Sequence, residues 1–309
     1  MEKKFIHTYK GMKRHLYQLE KIHCGRLRLH TLGITADKRK IIEATLGCED
    51  APCHILIHAA VHGREYANTA LVLALIEDYL QIPLQESQKS LMQEVCFHLI
   101  PMVNPDGVVI SQSGPEGIRN PSLRKRLRMY YQRDKKYRRL ILNEQTYFQK
   151  WKSNARGVDI NRNFNAGWEQ YKGIPFPSFA EYKGKSPESE HETQALLKAA
   201  KRWNPRCCVS LHSCGRLIYW NYGSSGKLLK EDKKLAQCIR KAIGYPMCST
   251  VKAQTEGAGC SDYFMETLRI PSVTIETGRA KCPLPRREYP LIYRQCIMLL
   301  PALASLYQE

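Results

Sequence analysis

Hydrophobic positions along the chain fall into two patterns, short apolar runs and longer stretches with helical spacing. A nearly continuous apolar run at residues 53–61 predicts a strand that is covered on both faces, and residues 95–103, 207–213 and 272–277 predict further core strands. Three less apolar segments predict further strands, at residues 26–33, 39–47 and 216–220.

Segments with helical spacing lie between these strands. They predict helices at residues 12–23, 65–80, 188–203, 226–243 and 291–306. Strands that alternate with helices are typical of an α/β protein. Because no repeat or low-complexity linker divides the chain, we expect a single domain over residues 1–309, with irregular excursions at about 105–158 and about 168–187.

The composition of the 309 residues is that of a globular protein, with 43% hydrophobic and 25% charged residues. The first ten residues lack the apolar core of a signal peptide, and no run approaches the length of a membrane span. Twelve cysteines occur without any C-x-x-C spacing. These features predict a cytoplasmic protein with reduced, mostly buried thiols and no membrane partner.

A net charge of +19 indicates an anionic partner, and residues 119–139 supply much of it. This segment has ten Lys or Arg residues, interleaved tyrosines and one acidic residue, Asp134. One interpretation is a patch that binds nucleic acid or another polyanion. No DNA- or RNA-binding motif fits its spacing, so we favour a solvated helical segment with some apolar anchoring. The oligomeric state stays open at this point.

A histidine and a glutamate, His62 and Glu65, lie where the strand at residues 53–61 turns into a helix. Such corners present reactive groups in α/β sheets, and a pair three residues apart can face one metal ion. Catalytic zinc sites use three protein ligands, two histidines and a glutamate among them, and His212 near the end of another strand is the candidate third ligand. The strand histidines without a paired acid are predicted to be structural: His54, His58 and His98.

Two further elements carry groups suited to amide hydrolysis at such a metal. Asn161 and Arg162 place a directional amide beside a guanidinium, a combination that binds carboxylates. Glu276 lies near the end of the strand at residues 272–277, where a carboxylate facing a water at the zinc ion can serve as general base.

Five motifs in this order resemble those of the zinc carboxypeptidases, the carboxypeptidase A-like family, and they span essentially the whole chain. The motifs are H-x-x-E from His62, N-P-D-G from Asn104, G-V-D-x-N-R-N-F from Gly157, L-H-S from Leu211 and T-I-E-x-G from Thr274. The resemblance implies a mixed, mainly parallel eight-stranded sheet with helices on both faces. It also implies one Zn2+ ion per chain and a peptidase activity.

The resemblance implies catalytic roles for individual positions. The H-x-x-E pair and His212 would bind the zinc ion, and Glu276 would deprotonate the attacking water and pass the proton to the leaving amine. The family's oxyanion-stabilising arginine is replaced by Lys152. We expect that role to fall to Lys152 or to be shared with Arg156.

Substrate contacts follow from the same resemblance. Asn161 and Arg162 would hold the substrate's terminal carboxylate, and Arg64 would be a further contact. The family's flexible substrate-binding tyrosine is absent, since Gln254 stands at its position. Ser261 falls where digestive members select the substrate side chain, and it is neither acidic nor large and apolar.

These departures shift the resemblance to the bacterial branch, which includes γ-D-glutamyl-diaminopimelate peptidases. Supporting motifs are W-K-S-N-x-R-G-V-D from Trp151, P-x-S-E-x-E-T-Q-A-L from Pro187, L-I-Y-W from Leu217 and P-L-P from Pro283. We therefore predict a zinc peptidase that acts on a short, anionic peptide of cell-wall origin. The alternatives are an ordinary metallocarboxypeptidase, an N-acyl amino acid deacylase and, outside the enzymes, a polyanion-binding protein.

Overall fold

Eight strands form one mixed sheet in the computed structural model, which describes residues 4–81, 94–137, 142–253 and 257–308. The strands are β1 (Leu27–Ile34), β2 (Lys40–Leu46), β3 (Cys53–Ala59), β4 (Val95–Ile100), β5 (Cys207–Ser213), β6 (Leu217–Trp220), β7 (Met247–Ser249) and β8 (Ser272–Thr277). Their order is β1-β2-β4-β3-β5-β8-β6-β7. The central strands β4, β3, β5 and β8 are parallel, as are β6 and β7, and the remaining pairs are antiparallel. This confirms the predicted mixed, mainly parallel sheet.

Helices cover both faces of the sheet. The described helices are α1 (Tyr9–Ile22), α2 (Ala67–Gln81), α3 (Pro105–Ser113), α4 (Pro121–Tyr137), α5 (Glu144–Gln149), α6 (His191–Trp203), α7 (Gly226–Ile243), α8 (Thr250–Ala253), α9 (Cys260–Glu266), α10 (Tyr289–Cys296) and α11 (Leu299–Tyr307). One core contains α1, α2, α7, α10 and α11, and the other contains α6 and α9. The single helix predicted at residues 291–306 is two helices in the structure, α10 and α11.

The central strands β3 and β5 bury side chains on both faces, which is why their sequences are rich in apolar residues. On β8, apolar residues alternate with polar ones, and Thr274 and Glu276 are half-buried. Because β3, β5 and β8 are parallel neighbours, their carboxyl ends lie at one edge of the sheet. The register pairs His212 on β5 directly with Glu276 on β8. The fold thus brings together the groups that the sequence singles out as reactive.

The excursion at residues 105–158 is largely helical, so its prediction as irregular is wrong. The N-P-D-G motif shows why. Pro105 occupies the first turn of α3, and the side-chain oxygen of Asn104 caps the helix by accepting a hydrogen bond from the Gly107 amide at 2.8 Å. Asn before a helix and Pro in its first turn are favourable, and the motif therefore begins a helix.

Helix α4 carries the basic segment and is anchored to the protein by buried residues that include Leu123 and Tyr131. Its acidic residue, Asp134, is buried and accepts hydrogen bonds from Tyr147 and Ser178, both at 2.6 Å. The apolar anchoring predicted for this segment is thus confirmed. The last two residues of the predicted segment lie outside the described residues.

His98, predicted to be structural, has an acidic partner in the fold that its sequence neighbours do not provide. Its Nδ1 atom lies 3.2 Å from Glu43 Oε1 on the neighbouring strand β2. Its ring also stacks on Trp203, with 4.1 Å between the ring centroids. The pair forms between strands that are distant in sequence, so local spacing does not reveal it.

All twelve cysteines lie in the described ranges and carry free thiols, and half of them are buried. In the part of the chain that the structure describes, no helix has both the length and the apolar character needed to cross a bilayer.

Glu192 on α6 is buried, and its shifted pKa makes the folding stability depend on pH. Burial, with the charges of Asp106 and Glu190, raises its pKa from 4.5 to about 8. The folded protein therefore keeps a proton that the unfolded chain releases, so the free energy of unfolding should fall as the pH rises through this interval. The expected slope is at most about 1.4 kcal/mol per pH unit.

We expect Glu192→Gln, which cannot ionise, to flatten this decline. Urea unfolding of both proteins at several pH values across the interval measures the effect, with the exposed Glu169→Gln as control. An equal decline in the wild type and in Glu192→Gln would contradict the assignment.

Candidate active site

The corner after β3 is held by close backbone packing around Gly63. A Cβ atom at Gly63 would lie 2.3 Å from the carbonyl oxygen of Gly107, so this position of the motif requires glycine. The Gly63 amide donates to the Lys152 carbonyl at 2.9 Å, and Asn104 Nδ2 donates to the Val61 carbonyl at 3.0 Å. The N-P-D-G motif therefore fixes the turn that carries the first histidine of the site.

The three predicted metal ligands converge on one point. His62 Nδ1 lies 2.9 Å from one carboxylate oxygen of Glu65, His212 Nδ1 lies 3.0 Å from the other, and the two nitrogens are 3.2 Å apart. Ligands about 2.0–2.2 Å from a tetrahedral zinc ion lie roughly 3.3 Å from one another. All three side chains are buried, so their spacing and chemistry both fit a catalytic zinc ion.

Asp159 prepares His62 for metal binding. His62 Nε2–H donates to Asp159 Oδ1 at 3.2 Å, which leaves the lone pair of Nδ1 facing the other ligands. Burial raises the pKa of Asp159, but the charges of His62 and Lys152 outweigh it and hold this pKa well below its ordinary value. Burial lowers the pKa of His212 to about 4, so its imidazole is neutral near pH 7 and able to bind a metal.

Glu276 lies beside His212 and shares its face of the sheet. Burial and the charge of Glu65 raise the pKa of Glu276 to about 8, while Lys152 and Arg64 act in the opposite direction. Its Oε2 atom is buried and has no hydrogen-bond partner among the described residues. A desolvated carboxylate with an unused oxygen can accept a proton, and a cation bound nearby would lower its pKa towards neutrality.

The two residues predicted for the oxyanion role differ in location. Lys152 is half-buried, and its charge lowers the pKa of both Glu276 and Asp159. Arg156 is exposed, and its guanidinium lies 3.8 Å from Glu190 Oε2. The fold thus brings Lys152 to the site and turns Arg156 towards solvent. The oxyanion role itself stays a prediction.

The predicted carboxylate clamp lies on the segment after Asp159. Arg162 is half-buried, its guanidinium lies 5.1 Å from the ring centroid of Tyr171, and it donates to the Asn161 carbonyl at 2.8 Å. Burial lowers the pKa of Arg162, but the charge of Asp159 outweighs it and keeps the guanidinium ionised. The side-chain oxygen of Asn161 accepts from the Cys260 amide at 3.0 Å, which leaves its NH2 group for a ligand.

A network of hydroxyl groups surrounds Ser261. Its Oγ atom lies 2.9 Å from Thr274 Oγ1, which also accepts a hydrogen bond from the Tyr222 hydroxyl at 2.7 Å. Thr274 lies two positions before Glu276 on β8, so both side chains face the same side of the sheet. The wall beside Glu276 is therefore polar. Gln254 lies outside the described residues.

Sequence reasoning gave no role to Asp159 and Asn104, although both lie in motifs it singled out. A signal was present, since each is a polar residue in a short motif next to predicted reactive groups, and both are buried. No comparable signal marks Tyr222. Its contact with Thr274 depends on the pairing of β6 with β8, which no local pattern reveals.

Two histidines and a glutamate around one point, with a second glutamate beside them, define the site of a metal-dependent hydrolase. The sequence profile described as zinc carboxypeptidase matches residues 12–295, and the chain belongs to this family. The predicted family, the zinc cofactor and the metallopeptidase class are thereby confirmed.

Several relatives are peptidases by name. Gamma-D-glutamyl-L-diamino acid endopeptidase 1 of Lysinibacillus sphaericus is 28% identical over 257 residues, which cover 81% of this chain and 60% of the relative. Carboxypeptidase B of Rattus norvegicus is 26% identical over 191 residues, or 61% of this chain and 40% of the relative. The chain thus spans less than two thirds of the length of either protein.

Solved structures share the fold. Thrombin activatable fibrinolysis inhibitor matches with a TM-score of 0.74 at 19% identity, over 98% of this chain and 77% of the other. Murein-tripeptide amidase MpaA from Escherichia coli O157 matches with a TM-score of 0.54 at 19% identity, over 94% of this chain and 96% of the other. At these identities the likeness concerns the fold alone.

We expect Asp159→Asn to weaken zinc binding roughly 10- to 100-fold, because the neutral amide supports His62 less well than a carboxylate does. His212→Ala, which removes a ligand, should abolish zinc binding at this site. Competition with a chelator measures both affinities, with Glu169→Gln as control. Unchanged zinc affinity in His212→Ala would contradict the ligand assignment.

Proposed function

We propose that the chain is the single catalytic domain of a zinc peptidase that cleaves the γ-D-glutamyl-diaminopimelate bond of a short cell-wall peptide. The observation that carries this proposal is the network of Ser261, Thr274 and Tyr222 hydroxyls beside Glu276. Such a wall suits a charged diamino acid better than a large apolar side chain. A relative named for gamma-D-glutamyl-L-diamino acids supports the same substrate class.

The side chains of the site account for hydrolysis as follows. When bound by His62, Glu65 and His212, zinc supplies a Lewis acid that polarises the amide carbonyl. Glu276 takes one proton from the attacking water, whose oxygen bonds to the carbonyl carbon. The same carboxyl group then gives the proton to the amide nitrogen as the C–N bond breaks. Lys152 offsets the negative charge that develops on the carbonyl oxygen.

Cations around the site support an anionic substrate. Arg64, Lys152 and Arg162 lie near the buried carboxylates, as their influence on the pKa values of Glu276 and Asp159 indicates. One terminal carboxylate needs fewer cations than this, whereas a wall peptide carries extra carboxylates on D-glutamate and diaminopimelate. The basic surface of α4 adds a general attraction for anionic peptides.

The same proposal assigns the enzyme to the cytoplasm, where it would act on wall fragments during recycling. In this proposal the net charge of +19 attracts anionic substrates, and it does not mediate sequence-specific binding of nucleic acid.

Glu276→Gln tests the mechanism. We expect this variant to bind zinc and substrate normally, because its shape is retained, and to lose turnover by about a hundredfold or more, because an amide cannot accept the proton. Zinc analysis, substrate binding and kcat are measured on the same preparation. Near-normal turnover in a zinc-replete sample would show that another group activates the water.

Substrate preference tests the proposed function directly. We expect a higher kcat/KM for a γ-D-glutamyl-diaminopimelate peptide than for peptides that end in Phe or Leu, measured in one buffer with zinc-loaded protein. Ser261→Leu should reduce the ratio of these two kcat/KM values, because it replaces a hydroxyl of the network with an apolar side chain. A preference for the apolar-ended peptides would favour an ordinary metallocarboxypeptidase and leave the zinc chemistry intact.

A further inference from the structure

A second group of metal-binding side chains lies in the core that faces α6 and α9. It consists of His58 on β3, Cys208 on β5 and Cys260, the first residue of α9, and all three are buried. Their ligand atoms lie within 4.8 Å of one another, and Cys260 Sγ is 3.3 Å from His58 Nε2. Cys208 precedes His212 by four strand positions, roughly 13 Å along β5. His58 is paired with Ser210, two strand positions before His212, so the group is a neighbour of the catalytic ligands that shares no residue with them.

Polar atoms around this group lack partners. His58 Nδ1 and the hydroxyls of Ser210 and Ser272 are buried without a hydrogen-bond partner among the described residues. The register places Ser210 beside His58 and Ser272 beside Cys208, so these atoms share one face of the sheet with the group. Native cores rarely leave several neighbouring polar atoms unsatisfied, so this region can accommodate a bound ion together with a water molecule that bonds to the hydroxyls.

We propose that His58, Cys208 and Cys260 bind a second Zn2+ ion, in addition to the catalytic one. Thiolates and imidazole are the donors that zinc prefers in structural sites. Tetrahedral ligands at about 2.3 Å for sulfur and about 2.0 Å for nitrogen lie roughly 3.5 Å apart, close to the sulfur–nitrogen separation above. Each thiol loses its proton to solvent as its metal–sulfur bond forms. His58, predicted to be structural from its position inside a strand, thereby becomes a ligand.

The location of this site links it to substrate binding. The Cys260 amide donates to the side-chain oxygen of Asn161 at 3.0 Å, and Ser261 follows directly in the chain. A metal that fixes Cys260 would hold both residues in place. This consequence rests on the proposed function, whereas the metal site itself does not.

Metal content and cobalt spectroscopy test the site in the full-length protein, prepared with reductant and loaded with Zn2+ or Co2+. We expect two metal ions per chain in the wild type and one each in His212→Ala and Cys208→Ala. Cys207→Ala is the matched control, since Cys207 is equally buried but belongs to the other core, and it should keep two. The catalytic ligands include no sulfur, so charge-transfer absorption from sulfur to cobalt that persists in His212→Ala and disappears in Cys208→Ala assigns the metal to Cys208. A band that remained in Cys208→Ala would instead point to the group of His54, Cys96 and His98 and would contradict the proposal.

X-ray absorption on zinc-loaded His212→Ala provides a test that does not require the Cys208 variant to fold. Sulfur neighbours around zinc are expected. Three results would each overturn the proposal. They are one metal ion per chain in the wild type, zinc with nitrogen and oxygen neighbours alone, and a Cys208–Cys260 disulfide under the same reducing conditions. Peptide cleavage is measured separately, so failure of the proposed function would leave this result standing.

Discussion

The parallel register of β3, β5 and β8 is the constraint on which the rest of the site depends. It aligns the carboxyl ends of three strands and places His212 directly beside Glu276. A slip of one residue would turn every side chain of a strand to the opposite face, so Glu276, the proposed base, and His212, the proposed metal ligand, would no longer share a surface. The two apolar cores resist such a slip, because β3 and β5 contribute side chains to both cores and β8 contributes Val273 and Ile275 to one of them. The packing of apolar side chains thus determines which reactive side chains lie next to each other.

The two glutamates of the site have opposite pKa shifts because their surroundings differ. Glu65 is buried, which raises its pKa, but His62 and His212 outweigh this effect and hold the pKa well below its ordinary value. Glu276 is half-buried and lacks such partners, and desolvation and the charge of Glu65 raise its pKa to about 8. One carboxylate is therefore kept ionised, as the proposed ligand role requires, while the other has a pKa suited to the proposed exchange of a proton. Opposite shifts in neighbouring carboxylates are a general way to assign acid–base roles within one site.

The sequence was sufficient for features that repeat locally or belong to ordered motifs. Apolar runs predicted the central strands, and the spacing around His62 and Glu65 predicted a metal corner that the fold completes with His212. Features that depend on contacts between distant segments were not predictable. The pairing of His98 with Glu43 forms across two strands. The difference in location between Lys152 and Arg156 depends on how one loop packs, and the capping role of N-P-D-G was hidden because the same residues also form turns.

The inward position of Asp134 has a consequence for how molecules of this protein meet one another. Because its carboxylate is bonded to Tyr147 and Ser178 inside the protein, it forms no ion pair with the described lysine and arginine side chains on the outer side of α4. Two molecules that approach through this surface repel each other, and the repulsion extends over about 8 Å at physiological ionic strength. One buried hydrogen-bonded acid thus contributes to colloidal stability, and this protection should weaken as salt is added.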